Sequence, residues 1–117
     1  MGTNFLTMED WFLASAAIDY VALDEIANRD LERKELAPSK KEFEFALSFI
    51  KYLFNKYGNY LTYSTGPGDP INKTPKELLA WLKSEYDAGK YEDIYYGVWF
   101  SLDKKVIPSK YIPTLPT

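Results

Sequence analysis

No glycine or proline interrupts the chain between Gly2 and Pro38, and that gap constrains the fold more than any motif. Glycine and proline are the residues that most often end a helix, one through backbone entropy and the other through its missing amide. A stretch without either is free to run as helix. Thr7-Met8-Glu9-Asp10 reads as its start, with Thr7 at the N-cap and two acids near the positive end of the helix dipole. Trp11, Phe12, Ser15, Ile18, Ala22 and Ile26 then recur at steps of three or four, which gathers them on one face. The expected element covers residues 8–34, either as one helix or as two divided by a break near 19–21.

Pro38 ends that region, and Ser39-Lys40-Lys41-Glu42 directly after it reads as a capping box. Phe43, Ala46, Leu47, Ile50, Leu53, Phe54 and Tyr57 follow at helical spacing, and Gly58 stands where a left-handed C-terminal residue is wanted. A helix is therefore expected over 40–57. Gly66-Pro67-Gly68-Asp69-Pro70 has the glycine content of a phosphate-binding loop. Such a loop needs consecutive backbone amides and a following Lys-Ser or Lys-Thr, whereas two prolines remove donors here and no such pair follows Gly68. It reads instead as a turn leading to Thr74-Pro75-Lys76-Glu77, a second capping box with proline at the first helical position. Leu78, Leu79, Trp81 and Leu82 are expected to pack, with Gly89 ending a helix over 75–88.

Beyond Gly89 the pattern is mixed. Tyr91, Ile94, Tyr95, Val98, Trp99 and Leu102 share a helical face, while the aromatic and β-branched content of the same stretch favours strand. A helix over 91–102 is the first expectation, and a small sheet from 60–65 and 94–107 the alternative. Residues 106–117 carry Pro108, Pro113 and Pro116 and are expected to be extended. The fold class expected is mainly α, a single domain of four or five helices with a proline-rich tail; the alternative is α+β. At 117 residues one domain is enough to bury a core without staples.

Histidine and cysteine are both absent. Histidine acid/base catalysis, Ser-His-Asp triads, thiolate nucleophiles and the usual zinc or haem ligand sets are excluded with them. Carboxylate, lysine, serine or tyrosine chemistry remains. Asp24-Glu25, Asp30-Glu32 and Glu92-Asp93 are the dense acidic spots, but adjacent helical residues point about 100° apart and do not converge. No catalytic residue, metal site or cofactor is expected. The first twenty residues lack the cationic start of a signal peptide, and their uncharged run Trp11–Ile18 is far short of the roughly 20 residues that span a bilayer. A cytoplasmic protein with no membrane role is expected.

Charge is unevenly placed. Residues 9–35 hold eight acidic and three basic side chains, within a whole-chain balance of −3. An acidic first third argues against nucleic acid as a ligand, because phosphate recognition needs a basic face. It suits a basic protein partner, whose encounter opposite charge accelerates. Aromatic residues make up 17% of the chain, and tyrosine is over-used at binding surfaces. Asp19, Asp24, Glu25, Asp30, Glu32, Tyr60 and Tyr63 are the candidate contacts.

The expected layout, two short helices over 7–34, an aromatic helix over 40–57, then a loop and a capped helix over 75–88, resembles that of bacterial immunity proteins that neutralise toxins. That resemblance implies a stoichiometric, non-enzymatic inhibitor that covers a basic toxin domain with carboxylates. Three other readings stand beside it: a phage-encoded inhibitor or adaptor of a host complex, a small enzyme using carboxylate and tyrosine chemistry, and an assembly component. The enzyme requires several buried, convergent polar groups with perturbed pKa values.

Overall fold

The computed structural model describes residues 5–27, 40–65, 69–90, 93–94 and 97–112, and for residues 5 and 6 the backbone alone. Its elements run α1 (Phe5–Ala16), β1 (Val21–Ala22), α2 (Leu23–Ala27), α3 (Lys40–Tyr57), β2 (Leu61–Ser64), α4 (Pro75–Asp87) and β3 (Trp99–Leu102). Single 3₁₀ turns occupy Gly58–Tyr60, Lys104–Val106 and Ser109–Tyr111. Helix predominates over one small antiparallel sheet.

α3 begins and ends where its sequence signals stand, although Ser39 of the proposed capping box lies outside the described residues. Its buried face is Phe43, Ala46, Phe49, Ile50, Leu53 and Phe54, at the three- and four-residue steps of an amphipathic helix. Full burial of each large side chain contributes roughly 2 kcal/mol. Aromatic pairs fasten this helix to three neighbours. Phe49 meets Phe12 of α1 edge-on at 6.2 Å, Phe43 stacks on Tyr86 of α4 at 4.2 Å, and Phe54 meets Tyr63 of β2 edge-on at 5.5 Å. Gly58 ends the helix at φ +57°, a conformation that costs a side-chain-bearing residue about 1 kcal/mol or more.

α4 carries the second capping box in full. The Glu77 amide donates to the Thr74 hydroxyl oxygen at 3.2 Å, and the Thr74 amide donates to the Glu77 carboxylate at 2.9 Å. Pro75 occupies the first helical turn, Leu78 and Leu82 are fully buried, and Gly89 follows at φ +81°. Thr74→Ala removes the oxygen that satisfies an end-of-helix amide, and is expected to lower stability by about 1 kcal/mol. Thermal melts of Thr74→Ala and Thr74→Ser check this, since serine retains the acceptor and should hold the native midpoint.

The first third departs from expectation in three ways. α1 starts at Phe5, so Thr7 lies inside the helix and not at its cap. Its buried face is Met8, Glu9, Phe12, Leu13 and Ala16, one position round from the Trp11–Phe12–Ser15–Ile18 stripe. The helix ends before Ile18, which stands 73% exposed. Of the two forms the sequence left open, the divided one corresponds to what stands here: residues 17–20 are not helical, and Val21 and Ala22 pair as strand with Phe100 and Trp99. Residues 28–34 of the expected element lie outside the described residues.

The sheet has the order β1-β3-β2, both pairings antiparallel, with Leu61↔Leu102 through Ser64↔Trp99 in register. The helix expected over 91–102 is thus replaced by strand from Trp99 onward, as in the small-sheet alternative. Along β3 Phe100 and Leu102 are buried while Trp99 and Ser101 are half-buried. Both faces of the strand are partly covered, which hides the alternation that period two would show. A helical bond from the Val98 amide to the Ile94 carbonyl, 3.1 Å, marks the end of helix before the strand begins. Nor is the tail simply extended from residue 106: 3₁₀ turns stand at Lys104–Val106 and Ser109–Tyr111, the latter closed by the Tyr111 amide on the Pro108 carbonyl. The φ that proline fixes is also that of a 3₁₀ turn, so prolines at this spacing do not demand an extended chain. Residues 113–117 lie outside the described ones.

Candidate functional site

Asp19, Asp24 and Glu25 cluster around β1, where α1 gives way to the sheet. In a strand, successive amides face opposite edges. The Leu23 amide donates to the Val98 carbonyl at 2.9 Å, so the Ala22 amide faces away from β3. Glu25 fills that position, accepting from the Ala22 amide at 3.0 Å, while Asp19 accepts from the Tyr20 amide at 2.7 Å. These two carboxylates each satisfy a backbone donor and still stand on an exposed surface. Asp24, half-buried, shares the first turn of α2 with Glu25, where negative charge is favoured by the helix dipole.

Two large apolar side chains flank Asp19. Ile18 is 73% and Tyr20 39% exposed, and with Tyr60 at 49% they are the exposed large hydrophobics among the described residues. An acidic side chain between an exposed isoleucine and an exposed tyrosine is a surface of contact chemistry: desolvatable area with charge at its centre. Asp30 and Glu32 lie outside the described residues.

The two candidate tyrosines sit elsewhere. Tyr60 precedes β2 and Tyr63 lies in it, at the opposite edge of the sheet from β1, with β3 between; two strand spacings make about 10 Å. The acids and the tyrosines therefore form separate features and not one surface. Tyr63 is half-buried against Phe54, and its hydroxyl donates to the Lys73 carbonyl. Burial and the Glu77 charge raise its pKa above the usual phenol value. Its role is to hold the 69–73 return against β2. Together with Phe54, Leu61, Pro70, Ile71 and Pro75 it lines an open cleft of about 240 Å³.

One polar cluster was not anticipated. Glu9, 5% exposed, is the buried charged residue among the described ones. Its carboxylate accepts from the Tyr52 hydroxyl at 2.6 Å and from the Tyr57 hydroxyl, and pairs with the Lys56 ammonium at 2.6 Å. All three partners lie within six residues of α3, with Tyr52 and Lys56 one helical turn apart on the same face and Tyr57 next to Lys56. Burial pushes the Glu9 carboxyl up, but the bonds from Lys56, Tyr52 and Tyr57 outweigh it and hold the group below its ordinary value. Tyr57 is raised by burial first and then by its bond to Glu9; Tyr52 and Lys56 are raised first by their bonds to Glu9. The signal for this cluster was present in the sequence. Glu9 stands three, four and seven residues before Phe12, Leu13 and Ala16, which places a carboxylate inside an apolar stripe.

No protein-family model, curated protein or solved structure matches this chain. Residue chemistry alone therefore bears on its function. Among the described residues, no helix is long and apolar enough to cross a membrane.

Proposed function

We propose that this protein is a non-enzymatic binding domain that neutralises a basic toxin by stoichiometric association, in the manner of bacterial immunity proteins. The observation that carries the reading is the surface around β1: exposed Ile18 and Tyr20 on either side of Asp19, beside Asp24 and Glu25. No lysine or arginine occurs in the first 28 residues to offset these acids. Apolar area supplies affinity when water is excluded, and the carboxylates supply partner choice and encounter rate.

The Glu9 cluster is the feature that the enzyme reading asks for, and its chemistry points the other way. A general acid or base works best with a pKa near the operating pH. Here the carboxyl moves down and the phenols and ammonium move up, all away from neutrality. Both carboxylate oxygens are also occupied from within the chain. Such a group is a clamp between α1 and α3.

The test begins with capture of the partner from the native cell and its identification by mass spectrometry. A basic toxin encoded beside this gene is the expected result; a component of a host complex would support the phage-inhibitor reading instead. Binding is then measured across salt for Asp19→Asn, Asp24→Asn and Glu25→Gln combined. Asn and Gln keep an acceptor for the Tyr20 and Ala22 amides, so at positions 19 and 25 the change removes charge with those backbone bonds in place. Affinity is expected to fall roughly tenfold at low salt, the product of three partly exposed charge contacts, and to lose most of its salt dependence. Unchanged affinity and an unchanged salt slope would rule out the acidic face as the contact.

A further inference from the structure

We draw no further inference here: the strongest candidate, the apolar cleft of about 240 Å³ between the end of α3, the outer edge of β2 and the start of α4, carries nothing because nothing in the structure shows what covers it.

Discussion

Phe49→Ala is expected to lower the stability of this domain by about 3–5 kcal/mol, the largest effect of any single truncation considered. Phe49 is fully buried, meets Phe12 edge-on at 6.2 Å and stacks near Tyr52 at 6.2 Å. Its removal takes away ring area that no solvent replaces, and opens a void at the place where α1 and α3 meet. A domain of this size is held by about 5–15 kcal/mol in total, so the variant spends a large part of its margin. Urea titration followed by tryptophan fluorescence reads the change, with the midpoint expected to fall by about 2 M. Phe49→Leu, which keeps much of the volume, should recover most of the loss. A fall below about 1 kcal/mol for the alanine variant would mean that α1 is not seated on α3 through this ring.

Glu9 carries the second large effect, and it is tied to pH. Glu9→Ala leaves two half-buried hydroxyls without their acceptor and frees Lys56, which is 49% exposed and returns to water at little cost. Each hydroxyl bond to a charged acceptor is worth about 1.5–3 kcal/mol, and the terms are not additive. The expected loss is about 3 kcal/mol at neutral pH. The folded Glu9 carboxyl lies below the ordinary 4.5. Its stabilisation is thus complete above pH 4.5 and is lost as pH falls through the lower folded value. Tyr52, Tyr57 and Lys56 are raised from ordinary values of 10.0, 10.0 and 10.5. Their contribution is complete below those values and is lost as pH climbs through the raised ones. Stability of the native protein should therefore fall off at both ends. Glu9→Gln should weaken the acid limb, and should return Tyr52 towards 10.0 while Tyr57, raised first by burial, stays high. Ultraviolet titration of the tyrosines separates the two, and an acid limb that persists unchanged in Glu9→Gln would assign it to another carboxylate.

Helices with explicit ends were legible in the sequence. Thr74-Pro75-Lys76-Glu77 and Gly89 bracket α4, and Pro38 and Gly58 bracket α3, because caps and left-handed glycines act within a single turn and need no distant partner. Strands were harder. β1 is two residues long and has no periodicity to read, and Trp99 places an apolar ring on the face of β3 that alternation needs to be polar. Tyrosines were hard to place for a different reason. Their abundance suggested a binding surface, yet Tyr52, Tyr57, Tyr63, Tyr86 and Tyr111 are half-buried among their neighbours and only Tyr20 and Tyr60 stand exposed among the described ones. Their hydroxyls bind groups far away in sequence, such as Glu9 for Tyr57 and Asp10 for Tyr111, and composition carries no record of such pairing.

The order of the strands has a consequence for how the chain is made. β3 is the middle strand and the last of these three to leave the ribosome, while β1 and β2 touch only it within the sheet. A nascent chain that has not yet reached Leu102 therefore has helices able to form locally but no sheet, and the acidic edge around Asp19 has no backbone to rest on. Contacts between distant segments form late and set the pace of folding. Chains halted before Trp99 are expected to be cut readily by protease near Ile18 and Tyr20, and chains that include Leu102 to be protected there. For this protein, the surface proposed to meet a partner comes into being only once β3 has been made.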